Sequence, residues 1–174
     1  MPLTAFGIAL GSNQGDSQRH LEAGVDHLLA RIPQARLTAA ASLYETEPVD
    51  CAPGTQAFLN TVIEVEADLT PQQMHAHLVA VEALMGRPLQ RKKNAPRCLD
   101  LDLLYAGDYH SDDPVLTVPH PRLHLRRFVL QPLAEIRPHL HLPGVSLTPA
   151  EALAALPCPP ESVRYGGDWK HRLS

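Results

Sequence analysis

The chain has 174 residues, 44% of them apolar, which suffices for one hydrophobic core and excludes wholesale disorder. Its 15 basic and 19 acidic residues give a formal charge of −4, the wrong sign for a protein that wraps nucleic acid through its phosphates. No apolar run reaches the ~20 residues of a membrane span, and the N-terminus lacks the cationic start and apolar stretch of a signal peptide. Cys51, Cys98 and Cys158 are too far apart for a paired motif, so they read as thiols of a cytosolic protein.

Phe6 to Leu10 is a short apolar run ending at Gly11-Ser12-Asn13-Gln14-Gly15-Asp16, which predicts a first strand and a tight turn. From Ser17 the spacing becomes helical through Leu21, Val25, Leu28, Leu29 and Ile32, until Pro33 stops it. Leu37 to Thr46 reads as one extended segment, and Glu47 to Gln56, with Pro48, Pro53 and Gly54, as a loop. Phe58 to Ala67 alternates, predicting a strand with one wet face. Thr70 and Gln73 are spaced as a capping box, with Pro71 at the first helical position; Met74, Leu78, Val81 and Met85 form the buried stripe, and Gly86 with Pro88 ends the helix.

Leu89 to Pro96 is a polar, basic loop, and Leu99 to Tyr105 a further strand closed by Gly107-Asp108. Val115 to Val118, a Pro119-His120-Pro121 turn and a short apolar stretch from Phe128 to Ile136 follow. A helix is predicted over Pro149 to Leu156, and the Pro/Gly-rich tail from Pro157 is expected to be mobile. The order strand, helix, strand, strand, helix, strand predicts an α+β fold: a ferredoxin-like βαββαβ core with C-terminal additions, helices packed on a mostly antiparallel sheet. One domain is expected, its core over residues 3–156 and its tail over 157–174.

The chemistry concentrates between Arg87 and Asp102. Arg87, Arg91, Lys92, Lys93 and Arg97 crowd together just ahead of Leu99-Asp100-Leu101-Asp102-Leu103-Leu104. Side chains alternate along a strand, so Asp100 and Asp102 share a face about 7 Å apart while Leu99, Leu101 and Leu103 turn inward. Carboxylates so placed repel, and Asp is a poor strand former. They either pair with the nearby arginines on a solvated face or hold cations. The basic loop beside them favours cations, because two carboxylates plus phosphate oxygens are how Mg²⁺ is usually held.

Other signals are weaker. The Gly11–Asp16 turn joins a strand to a helix but lacks a full phosphate-loop fingerprint, so a structural turn and a binding turn both stand. His75 and His77 do not share a helix face, and His139 and His141 have no third ligand nearby, so both pairs read as surface histidines. His120, in a rigid turn ahead of Arg122, Arg126 and Arg127, is either structural or a phosphate or ribose contact.

Taken together, the motifs resemble the hydroxymethyl-dihydropterin pyrophosphokinases of folate biosynthesis over roughly residues 6–136. The resemblance is carried by Gly11-Ser12-Asn13, Tyr44-x-Thr46-x-Pro48, Phe58-Leu59-Asn60 and Glu82-x-x-x-Gly86-Arg87. It continues through Pro96-Arg97-x-x-Asp100-x-Asp102-x-Leu104-x-x-Gly107, Leu116-Thr117-Val118-Pro119-His120 and Arg126-x-Phe128-x-x-x-Pro132-Leu133. It implies transfer of the β,γ-diphosphoryl group of ATP to a pterin hydroxymethyl group, with two Mg²⁺ ions at Asp100 and Asp102 and ATP as co-substrate. By the same resemblance, Arg87 and Arg97 would act with that pair in catalysis, and Glu82, Arg97, Leu103, Thr117, His120 and Arg126 would bind ATP. Thr46, Pro48, Val49, Phe58, Asn60 and Phe128 would bind the pterin, with Phe58 and Phe128 on its two faces.

Departures from the family's pattern fall in the basic loop and the Pro-His-Pro turn. Arg-Trp-Gly-Pro-Arg becomes Lys93-Asn94-Ala95-Pro96-Arg97, Leu89 stands where a second arginine is usual, and Pro121 replaces a frequent aromatic. The expected partners are small molecules, with no nucleic acid and no membrane, acting on a cytoplasmic monomer. The alternative is a diverged paralogue or a ferredoxin-like binding module without this activity, which Mg²⁺-dependent nucleotide turnover would separate from the enzyme.

Overall fold

The computed structural model describes residues 3–46, 56–86, 98–157 and 163–172. In chain order these form β1 (Thr4–Ser12), α1 (Ser17–Arg31), β2 (Arg36–Ala40), β3 (Leu43–Thr46), β4 (Phe58–Ala67), α2 (Pro71–Leu84), β5 (Asp100–Ala106), a 3-10 turn (Leu123–Leu125), α3 (Arg127–Ile136), α4 (Pro149–Ala155) and β6 (Val163–Gly167). Local side chains cap the helix starts, as predicted for α2. Asp16 caps α1 by accepting the Arg19 amide, and both arms of the Thr70/Gln73 capping box form at α2. Thr148 and Glu151 repeat the box at α4 behind Pro149.

The antiparallel sheet runs β5-β1-β4-β3-β6, with β2 also paired to β4. The β5-β1-β4 order, with β2 and β3 beyond, is the ferredoxin-like arrangement the element order predicts. On one face Phe6, Ile8, Leu10, Ile63, Val65, Leu99, Leu101 and Leu103 pack against Leu21, Val25 and Leu28 of α1 and Met74, Leu78 and Val81 of α2. On the other, Val62, Leu104 and Tyr105 meet Val129, Leu130 and Leu133 of α3 and Ala152 of α4. Each such buried aliphatic side chain contributes about 1.5–3 kcal/mol.

Three expectations are corrected, and one stretch left without an element gains one. The extended segment 37–46 is two strands, because the ladder breaks at Ala41 and Ser42. There the Ala41 carbonyl accepts the Trp169 indole N–H (2.8 Å), and the Ser42 amide donates to Glu135 (3.1 Å). Phe58 to Ala67 has no wet face along its middle: α3 covers it, and Glu64 is only 5% exposed. The stretch from Phe128 to Ile136 is helical despite Pro132 within it. The tail is ordered where described: β6 pairs with β3 and Trp169 is buried, a contact between residues 128 positions apart that local composition does not encode.

One irregularity shapes the α3 face. The β1–β5 register shifts between Gly7, opposite Tyr105, and Ile8, opposite Leu103, which makes Leu104 an extra residue and turns Tyr105 toward α3. There its hydroxyl donates to Glu64 (2.6 Å), and Arg137 donates to both Glu64 oxygens (2.7 and 2.9 Å). Burial first, then the Glu64 carboxylate, raises the Tyr105 phenol above its ordinary range, so it stays a donor.

Candidate active site

β1 offers small residues on its α3 face, and these form the floor of the site. Gly11 lies opposite Asp100 of β5 on one side and Asn60 of β4 on the other, and Asn60 lies opposite Tyr44 of β3. One step along, Ala9 lies between Asp102 and Val62. Leu99, Leu101 and Leu103 occupy the α1/α2 core, so the two aspartates between them face α3, half-buried. With strands about 4.8 Å apart, the backbones of Asp100 and Asn60 are roughly 10 Å apart, with only glycine between.

The Gly11 position is demanding: a Cβ there would lie 2.8 Å from the Asn60 side-chain oxygen. Asn60 is 6% exposed, and its amide donates to Thr46 Oγ1 (2.8 Å), which fixes which way the side chain presents. Phe58 lies two residues before Asn60 and opposite Thr46, on the same face. Phe128, 36% exposed in the first turn of α3, lies beneath the Arg126 guanidinium at 5.5 Å.

Glu82 has a definite position. It reaches from α2 to accept the Leu101 amide (3.0 Å), holding the backbone between the two aspartates. The Leu103 side chain is in the α1/α2 core, on the face opposite the two aspartates. Thr117 donates its hydroxyl to the Asp113 carbonyl (2.9 Å) and, with His120, His124, Gly144 and Leu147, lines a cavity of about 280 Å³. Arg87, Arg97, Pro48 and Val49 lie outside the described residues. Among the described residues, no three His, Cys, Asp or Glu side chains gather as a metal cage. The half-buried aspartate pair, hard oxygen donors on one face, fits Mg²⁺, which takes its remaining ligands from phosphate and water.

His120 Nδ1 accepts the Arg122 amide (3.1 Å), so the neutral ring carries its proton on Nε2. Burial first, then Arg126 and Arg122, lowers its pKa from 6.5 to about 4. The unfolded chain therefore takes up a proton before the folded one does, and stability is expected to fall as pH drops from 6.5 to about 4. Thermal melting of His120→Asn across that window should show a shallower fall than wild type; identical slopes would remove His120 as the cause.

The sequence reading missed the floor. Its signal was present in Phe6-Gly7-Ile8-Ala9-Leu10-Gly11, where large and small residues alternate with the strand period. It also missed Glu135, which ties α3 to Ser42 and to Tyr44 of β3.

Fold and site together define an α+β enzyme domain with an aspartate pair and a buried side-chain amide on one sheet face. Residues 7–138 match the profile of 7,8-dihydro-6-hydroxymethylpterin-pyrophosphokinase (HPPK), and the chain belongs to that family. It is 38% identical over 156 residues to a Pseudomonas aeruginosa 2-amino-4-hydroxy-6-hydroxymethyldihydropteridine pyrophosphokinase, covering 90% of this chain and 93% of the relative. It is 39% identical over 129 residues to the Bacillus subtilis protein of the same name, covering 74% and 75%. Among solved structures, Plasmodium falciparum HPPK-DHPS with pteroate superposes with a TM-score of 0.68 at 12% identity, covering 88% of this chain. The chain spans 44% of that longer protein's length, and the likeness concerns the fold.

Proposed function

We propose that the chain is a single-domain 2-amino-4-hydroxy-6-hydroxymethyldihydropteridine pyrophosphokinase of folate synthesis. It moves the β,γ-diphosphoryl group of ATP onto 6-hydroxymethyl-7,8-dihydropterin and releases AMP. The row Asp100–Gly11–Asn60 carries this reading, because it sets a phosphate-side carboxylate and a ring-reading amide on one face with only a glycine between them. The bicyclic pterin lies over that floor, Asn60 reads its amide-like edge beside Thr46, and Phe58 and Phe128 take its two faces. Pro48 and Val49 complete this end through the resemblance.

Arg126, over the Phe128 ring between the two substrates, and His120 meet the nucleotide. His120, neutral at pH 7, gives a hydrogen bond from Nε2 without adding charge. Thr117 and the Leu103 backbone lie toward adenine, and Arg87 and Arg97 hold phosphate oxygens. Asp100 and Asp102 would hold two Mg²⁺ ions, which would supply charge neutralisation along the triphosphate and a lowered pKa for the pterin hydroxyl. The hydroxymethyl oxygen releases its proton to solvent and bonds to the β-phosphorus as the bond from that phosphorus to the α,β-bridging oxygen breaks, and AMP leaves with the bridging oxygen. The chain acts on this reading as a cytoplasmic monomer; Cys98 is a free thiol, and no described helix is long and apolar enough to cross a membrane.

Incubation with ATP, Mg²⁺ and the reduced pterin tests the reaction. AMP formed only when the pterin is present is the expected product; ADP would replace diphosphoryl with monophosphoryl transfer and overturn the reading.

A further inference from the structure

β3 is four residues long, yet it carries Thr46, the hydrogen-bond partner of Asn60. Its outer edge is closed by β6, with Leu43 opposite Gly167 and Thr46 opposite Val163. Gly166 makes the close approach possible, since a Cβ there would lie 2.9 Å from Leu59. Beyond β6 the chain is anchored several times over. Trp169, 5% exposed, donates its indole N–H to the Ala41 carbonyl just before β3 (2.8 Å). Lys170 and His171 both reach Asp26 of α1 (2.7 and 3.1 Å), and Gln18 of α1 donates to the Asp168 carbonyl (3.3 Å).

On the α3 side of the sheet a single carboxylate gathers the same parts. Glu135 of α3 accepts the Ser42 amide (3.1 Å), the Ser42 hydroxyl (3.0 Å) and the Tyr44 hydroxyl (2.7 Å), and Arg172 approaches it at 3.8 Å. Glu135 therefore links the strand that carries Thr46 to the helix that carries Phe128. Neither Glu135 nor the C-terminal segment is expected to touch a substrate.

We infer that residues 163–172 and Glu135 together form a positioning strap for the pterin end of the site, holding β3 against α3 so that Thr46–Asn60 and Phe128 keep the separation a flat ring requires. The strap acts first on the pterin end. The phosphate-side aspartates are on β5, at the opposite end of the sheet order from β6, and β5 is held by β1 and Glu82 instead. This inference rests on the pterin reading of the site.

The test uses the full chain with Trp169→Phe and Glu135→Gln, two replacements that keep much of the side-chain bulk while removing the indole donor or the carboxylate charge. Direct titration with the reduced hydroxymethyl pterin and separately with ATP and Mg²⁺ gives the two affinities, and steady-state rates give the two KM values. Each variant is expected to weaken pterin affinity and raise pterin KM about five- to tenfold, with ATP affinity within about twofold, the scale of one lost hydrogen bond. Equal losses for both ligands would reduce the strap to general stability and overturn the inference. Unchanged pterin affinity in both variants would overturn it as well. A wild-type chain that binds ATP but not the pterin would instead overturn the reading of the site, and this inference with it.

Discussion

Asp100→Ala and Asp102→Ala are each expected to reduce diphosphoryl transfer by at least about a thousandfold, because each removes a carboxylate that would hold the Mg²⁺ neutralising the charge developing on the triphosphate. The fold should not suffer. Both side chains are half-buried on the α3 face, outside the leucine core. Both positions lie off the packed leucine face, so each alanine variant should remain folded. Single-turnover rates with ATP and pterin, set beside the melting temperature of each variant, check this. A variant that keeps a tenth of wild-type turnover would remove the aspartate pair from the chemistry. Loss of activity with an equal loss of folded protein would show a structural role only.

The largest stability effect is expected at Gly7, far from any substrate. An alanine Cβ there would fall among Cε1, Cζ and Cδ1 of Tyr105, so the obstacle is the flank of a ring and not the tip of a flexible chain. The ring cannot simply swing away: Tyr105 is 2% exposed, and its hydroxyl is held by Glu64 at 2.6 Å. Overpacking costs about 1–3 kcal/mol and a lost hydrogen bond to a charged group about 1.5–3, so Gly7→Ala should destabilise by about 3–5 kcal/mol. For a chain of this size that lowers Tm by roughly 10 °C or more. The physical cause is separable by a double-mutant cycle. Tyr105→Leu should rescue Gly7→Ala in part because it removes the ring; Tyr105→Phe should not, because it removes only the hydroxyl. Rescue by phenylalanine, or additivity with leucine, would sink the explanation.

Gly7 and Asp100 also show how differently parts of this protein are written in its sequence. The aspartate pair is legible because strand alternation is a local rule: Leu99, Leu101 and Leu103 declare the core face, so Asp100 and Asp102 declare the other. The capping boxes at Thr70 and Thr148 are local too, since three residues hold donor and acceptor together. Gly7, Ala9 and Gly11 were visible as an alternation of small residues, but its purpose was not. One glycine makes room for Tyr105 and another for the Asn60 amide, partners supplied by strands 98 and 49 positions away.

Glu64 is a sharper case. In the sequence it marks a wet strand face; in the fold it is buried, because Arg137 at the end of α3 and Tyr105 on a bulged strand converge on it. The tail is the same lesson in apolar form. Proline and glycine predict looseness, and a single tryptophan that finds the Ala41 carbonyl and the α1 core overrides them.

The sequence by itself determined the βαββαβ core order, the start of α2, the core stripes and the family, because each depends on residues close together in the chain or on motifs in a set order. Only the tertiary structure decided that a short strand would be strapped at its edge, that Glu82 would hold the backbone between the two aspartates, and that a glycine would open the floor between Asp100 and Asn60. Those outcomes depend on which strands become neighbours, and a bulge of one residue, as at Leu104, reverses the face that every later side chain of the strand presents.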